Sequence, residues 1–135
     1  MKKITDKLFW VLLVVMGFYF LYQKGMIMTD FPSVSSKVAY EMIQNDEGNL
    51  TVLDVRTPEE YKLDGHLADA KIIPLSWLNG NLKMLDKSKT ILVYCRSGSR
   101  SVSASRLLSE NGFTVINMSG GLLAWQAEKL PIKMK

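Results

Sequence analysis

The stretch Thr90-Ile91-Leu92-Val93-Tyr94-Cys95-Arg96-Ser97-Gly98-Ser99-Arg100 passes abruptly from an apolar, β-branched run into small, polar and cationic residues. The unalternated run Thr90 to Tyr94 reads as a strand buried on both faces, as strands are in parallel sheets covered by helices on each side. Beyond the loop, a helix is expected from about Ser99 to Asn111. Ala104, Leu107 and Leu108 fall on one face, and Gly112 followed by Phe113 suits a left-handed C-terminal cap. The stretch is therefore strand, tight loop and helix start, and in open α/β sheets ligands gather where strands end in such loops. Cys95 occupies that point.

Working outward, short β-branched or apolar runs at Thr51 to Asp54, Lys71 to Ile73 and Thr114 to Asn117 supply further strands, with an edge candidate at Ser33 to Ser35. Helical patterns lie between them. Ser35 or Ser36 can cap a segment whose Val38, Ala39, Met42 and Ile43 share a face turned to the sheet. Thr57-Pro58-Glu59-Glu60 combines an N-cap, a proline at the first helical position and a glutamate at the third, so a helix begins at Pro58. Gly120-Gly121 leads into a last helix containing Trp125. Alternating strands and helices predict an α/β domain with a central, mostly parallel five-stranded sheet flanked by helices.

The N-terminal thirty residues differ from the rest. After the basic start Met1 to Lys7, Leu8 to Tyr22 is an unbroken apolar and aromatic run. Apolar residues cover every helical face, with Trp10, Tyr19 and Tyr22 near the ends, which fits lipid better than a protein core. The fifteen residues of the run reach roughly 22 Å as a helix, less than a hydrocarbon core of ~30 Å, so flanking residues must contribute. No small-residue cleavage arrangement follows the run, which argues against a signal peptide. The expected division is thus a transmembrane anchor with its flanks, 1–30, contacting lipid through residues 8–22, and a folded domain, 31–135. Lys2, Lys3, Lys7 and the terminal amine outweigh Lys24 and Lys37 beyond the run, favouring a cytoplasmic N-terminus and a domain outside the cytoplasm.

The net charge of +4 includes lysines near both ends, and no basic run with interleaved aromatics suggests nucleic acid. One cysteine and one histidine allow neither an internal disulfide nor a cluster of metal ligands at zinc spacing. On its own, a lone cysteine at a strand end is as compatible with inert packing as with chemistry. The loop decides otherwise. Arg96, Ser97, Gly98, Ser99 and Arg100 run into a helix N-terminus, where free amides and the helix dipole favour negative charge. That setting favours the thiolate, the form of cysteine that attacks.

The segment Cys95 to Ser101 resembles the active-site loop of single-domain rhodanese-like sulfurtransferases. The stretches Leu53-Asp54-Val55-Arg56-Thr57-Pro58-Glu59-Glu60-Tyr61, Gly65-His66-Leu67, Ile73-Pro74-Leu75, Gly112-Phe113 and Gly120-Gly121-Leu122 with Trp125 agree in order and spacing. The resemblance covers about Val34 to Ile132 and leaves out the membrane segment. Ala68-Asp69-Ala70 departs from it, since the family commonly has a proline-glycine turn there. The resemblance implies a rhodanese-like domain and a two-step reaction without a cofactor. Cys95 takes sulfane sulfur from a small anionic donor, thiosulfate or a persulfide, and a thiol or cyanide then accepts it.

Within that reading the amides from Arg96 to Arg100 hold the persulfide, and the two arginines attract an anionic donor. Asp54 and Arg56 are expected to form a structural ion pair near the pocket, His66 to serve the scaffold, and Trp125 to pack beneath the site. A cysteine phosphatase or arsenate reductase is the rival enzyme, but the loops of those enzymes carry one residue more between cysteine and arginine, and no flanking aspartate offers itself as general acid. A membrane-anchored persulfide relay, redox sensor or regulatory module is the other alternative. The anchor and its charge asymmetry point to a bacterial inner membrane with the domain on the extracytoplasmic side.

Overall fold

A computed structural model describes residues 2–23 and 31–134 of the chain. Five parallel strands, β1 (Ser33–Val34), β2 (Leu50–Asp54), β3 (Lys71–Ile72), β4 (Thr90–Tyr94) and β5 (Val115–Met118), form one sheet in the order β1-β5-β4-β2-β3. The helices are α1 (Lys2–Gln23), α2 (Ser36–Gln44), α3 (Pro58–Leu63), α4 (Leu75–Leu78), α5 (Ser99–Glu110) and α6 (Gly121–Ala127). Strand β4 is central, and Ile91, Leu92, Val93 and Tyr94 are fully buried. The expected sheet is thus present with its most apolar strand in the middle.

Side chains alternate across β4 and build two cores. Ile91 and Val93 face one layer with Leu53, Val102, Ala104, Leu108 and Phe113, beneath α4 and α5. Leu92 and Tyr94 face the other with Ala39, Leu67, Leu122 and Trp125, beneath α2 and α6. Each fully buried aliphatic side chain contributes about 1.5–3 kcal/mol of transfer free energy. The alternation puts Cys95, the next odd-numbered residue, on the α5 side.

Local signals set several boundaries. Ser35 caps α2 by accepting from the Val38 amide. Thr57 and Glu60 close the capping box of α3. Helix α5 ends in a Schellman motif, with Phe113 N donating to Leu108 O at 3.1 Å and Gly112 N to Ser109 O at 3.2 Å. The buried stripe of α2 differs from expectation. It runs through Ser36, Ala39, Tyr40 and Ile43, and Val38 is 43% exposed, because the cap at Ser35 starts the helix with Ser36 inward. Helix α4 and a 3₁₀ turn at Leu82–Met84 were not expected. Each is about one turn, too short for periodicity to show, yet Leu78 and Leu85 fill the α5-side core. Asp69 adopts a left-handed φ of 58° in the turn closed by Ala70 N to Leu67 O, so Ala68-Asp69-Ala70 still turns without a glycine.

Helix α1 stands outside both cores. Its window Lys3–Gln23 has a mean hydropathy of 1.8 and none of it is buried. With Lys2 to Lys7 included, the helix reaches about 33 Å, of which the apolar part is Leu8 to Tyr22. Near its end, the Arg106 guanidinium of α5 lies 3.6 Å over the Tyr22 ring and donates to the Tyr22 carbonyl.

Two polar ties lock the sheet's carboxyl end. Asp54 and Arg56 form an ion pair with both side chains at 0% exposure. Arg56 Nη2 donates to Asp54 Oδ2 at 2.6 Å and Nε to Oδ1 at 3.0 Å, while Tyr94 Oη donates to Oδ2 at 2.8 Å. Arg56 Nη2 also reaches the Gly65 carbonyl at 2.7 Å, and the Leu67 amide donates to Tyr94 Oη at 3.1 Å. Farther out, Arg100 of α5 grips Glu60 of α3, Nη1 to Oε1 at 2.6 Å and Nη2 to Oε2 at 2.8 Å. The Arg100 hydrogen bond holds the Glu60 pKa down at about 2 against the opposing effect of burial.

Asp54→Leu should lower unfolding free energy by about 3–5 kcal/mol in urea melts, because it strands a buried guanidinium. Asp54→Leu combined with Arg56→Met should recover much of that loss. Glu60's depressed pKa means that its pairing stabilises the fold fully above the unfolded value and less as pH falls towards 2. With side chains 36% and 22% exposed, the effect is limited to about 1 kcal/mol. Unfolding free energies of wild type and Glu60→Gln should therefore converge between about pH 5 and pH 2, following the carboxylate's titration.

Candidate functional site

The strand order changes direction between β2 and β4. β3 lies beyond β2 and β5 beyond β4, so the loops leaving the adjacent ends Asp54 and Tyr94 diverge and open a crevice. One loop leads into α3 and the other, beginning at Cys95, into α5. The Asp54–Arg56–Tyr94 cluster forms the floor. Burial pushes the Tyr94 phenol far up, and the neighbouring Asp54 charge pushes it the same way, so it stays protonated and donates. Burial opposes the charge of Arg56, but Asp54 outweighs it and the guanidinium remains charged.

Above this floor the loop folds around its own sulfur. Cys95 is 1% exposed, and its Sγ accepts from the Gly98 amide at 3.1 Å. Gly98 has φ 112°, open to glycine without strain, and a Cβ there would lie 3.3 Å from the Gly120 amide nitrogen. Its carbonyl accepts from Ser101 Oγ at 3.1 Å. The start of α6 holds the loop from the other side. Leu122 N donates to Cys95 O at 2.8 Å and Leu123 N to Arg96 O at 3.0 Å. Gly121 makes this approach fit, since its φ is 59° and a Cβ would sit 2.6 Å from the Cys95 carbonyl oxygen. The Cys95 and Arg96 carbonyls are turned towards α6, and the Gly98 amide is turned towards the sulfur.

The loop's side chains have different surroundings. Arg96 and Ser97 are exposed, Gly98 is buried, and Ser99 and Arg100 are half-buried. Arg96 lines a depression of about 210 Å³ with Asp64 and Gln126. Arg100 is held by Glu60. That hydrogen bond raises its pKa most, and a Cys95 charge adds to the effect. The two arginines, read from sequence as flanking one anion, therefore differ: Arg100 is tied to an acid, whereas Arg96 is exposed at the depression.

His66 belongs with the scaffold by its contacts. Its ring stacks on Tyr61 at 3.7 Å, and Nδ1 lies 2.8 Å from the Leu67 carbonyl, which can only accept, so Nδ1 carries the proton. Its backbone bridges to Lys133, with bonds of 2.8 and 2.7 Å. Trp125 packs edge-on against Tyr40 at 5.8 Å, and its Nε1 donates to Pro131 O at 2.9 Å. It lies in the α2/α6 core, on the opposite side of the sheet from the core that includes Cys95.

Sequence reasoning missed three contributors. Glu60 showed only as a helix cap, because its second partner is forty residues away. The Tyr94 hydroxyl looked like one more apolar position in a strand. The α6 amides that grip the loop had a visible signal in Gly120-Gly121, whose close approach to another backbone was not inferred.

The architecture and loop have counterparts among known proteins. Residues 35–128 match the family model of the rhodanese-like domain. YtwF of Bacillus subtilis is 34% identical over 102 residues, covering 76% of this chain and 97% of that protein. A sulfurtransferase of Allochromatium vinosum is 33% identical over 104 residues, covering 76% and 91%. Among solved structures, a rhodanese-related protein from Thermoplasma volcanium superposes with a TM-score of 0.72 at 33% identity, covering 78% of this chain and all of that one. With its sheet order, its cysteine loop and these relatives in agreement, the chain belongs to the rhodanese-like family.

Proposed function

We propose that the protein is a sulfurtransferase that carries sulfane sulfur as a persulfide on Cys95. The observation that supports this most is the bond from the Gly98 amide to Cys95 Sγ, inside a loop whose backbone is held by α6. A preoriented N–H donor favours a sulfur anion at Cys95 Sγ.

In the first half-reaction the Cys95 thiolate attacks the outer sulfur of thiosulfate or of a persulfide. The sulfur–sulfur bond of the donor breaks, its electron pair leaves with sulfite or a thiolate, and the transferred sulfur stays on Cys95. In the second, a thiol or cyanide attacks that outer sulfur and the Cys95 thiolate departs. Arg96, on the rim, attracts anionic donors, while Ser97, Gly98, Ser99 and Arg100 shape the cradle. Asp54 and Arg56 support the loop from below, and His66 holds the neighbouring segment. No cofactor enters the cycle, and the partners are the small sulfur donor and acceptor.

Residues 1–30 act as the anchor and 31–135 as the sulfur-carrying domain in this reading. Helix α1 is long and apolar enough to cross a membrane, and the lysines before it favour a cytoplasmic N-terminus, with the domain on the extracytoplasmic side of a bacterial inner membrane. Carbonate washing should leave the protein in the membrane, and protease added from the domain's side should remove residues beyond the helix. Release by carbonate would overturn the anchor.

After treatment with thiosulfate or a persulfide, the full-length protein should carry sulfur that cyanide releases as thiocyanate, and Cys95→Ser should carry none. Sulfur uptake by Cys95→Ser would refute the persulfide assignment. Gly121→Ala should displace the Cys95 carbonyl and cut transfer at least about tenfold, a 1 Å misplacement being costly at a reacting centre, while circular dichroism still reports a folded sheet.

A further inference from the structure

Helix capping does not require the Glu60–Arg100 pair. Glu60 already completes the α3 cap, with its amide donating to Thr57 Oγ1 at 3.2 Å and its Oε1 accepting from the Thr57 amide at 3.4 Å. Its carboxylate is thus anchored on its own helix, and in that position it takes both terminal nitrogens of Arg100. The two-point fork with which a guanidinium grips a sulfonate is occupied from within the protein. The arginine that ends the cysteine loop is near enough for a Cys95 charge to bear on it, yet its own charge is balanced by Glu60.

We propose that Glu60 is a specificity-determining residue that withholds Arg100 from anionic donors and sets the site for thiol persulfides over thiosulfate. This rests on the sulfurtransferase reading. Arg100 and Glu60 cancel, so of the loop's two arginines only the exposed Arg96 keeps a charge to offset a Cys95 thiolate. A dianion such as thiosulfate then meets one available guanidinium instead of two, and its leaving sulfite dianion has no free Arg100 fork to pair with. A thiol persulfide, R–S–SH or its monoanion, carries at most one negative charge on its sulfurs and no sulfonate for a guanidinium fork to grip, and its protonated form is the one that reacts. The thiolate of Cys95 attacks its outer sulfur, the S–S bond breaks, the electron pair leaves with R–S⁻, and the sulfur with its proton remains on Cys95.

The test compares the full-length protein with Glu60→Gln, using cysteine persulfide and thiosulfate as donors and cyanide as acceptor. Glutamine keeps the third position of the capping box and removes the charge. Glu60→Gln should lower KM for thiosulfate by about three- to tenfold, as a partly exposed charge of this kind allows, and leave kcat/KM for cysteine persulfide within about twofold. An unchanged or higher KM for thiosulfate, or an equal gain with both donors, would overturn the proposal. Should the variant fail to fold, the wild type decides: kcat/KM for cysteine persulfide above that for thiosulfate by about tenfold or more supports the proposal, and any smaller or reversed preference refutes it. Failure of the underlying function reads differently, as no Cys95-dependent transfer from either donor.

Discussion

The Asp54 carboxylate, wholly buried, accepts hydrogen bonds from the Arg56 amide and guanidinium and from the Tyr94 hydroxyl. Two charges taken out of water carry a desolvation cost of several kcal/mol each, and excellent geometry is needed to offset it. That demand ties together parts that share no local sequence. The end of β2 is pinned to the end of β4 through Tyr94. The Gly65–Leu67 segment is pinned through the Gly65 carbonyl and the Leu67 amide. Apolar residues could fill the same volume, but they would not define where the Cys95 loop begins.

Above this cluster, the loop is held on three sides by different kinds of force. Odd-numbered β4 side chains carry Cys95 into the α5 core, α6 amides take its carbonyls, and the Glu60–Arg100 pair ties α3 to the helix that follows it. The Cys95 side chain so placed has little conformational freedom left to lose. The cations are distributed unevenly. Arg96 is open to solvent, whereas Arg100 is balanced by an acid before any ligand is present. Charge near the sulfur is therefore lower than a count of loop arginines suggests.

Features encoded over a few residues were legible in the sequence. The strand character of Thr90 to Tyr94, the capping box at Thr57 to Glu60 and the glycine stop of α5 each depend on neighbours within one or two turns. The stripe of α2 was misjudged by a small rotation, since Ser36 turns inward and carries Tyr40 with it. The short α4 and its following turn left no periodic trace. The buried pair of Asp54 and Arg56 was readable because both partners lie two residues apart.

By itself the sequence determined the alternation of strands and helices, the apolar N-terminal segment and a lone cysteine at a strand end before a glycine-containing cationic loop. These follow from backbone propensity, hydrophobic period and capping chemistry, all short-range along the chain. Only the tertiary structure decided what each loop residue faces. Glu60 meets Arg100, Tyr94 meets Asp54, and the start of α6 meets Cys95 across separations of about 25–40 residues. Such pairings arise from sheet order and packing, which bring distant residues together for reasons no local pattern contains.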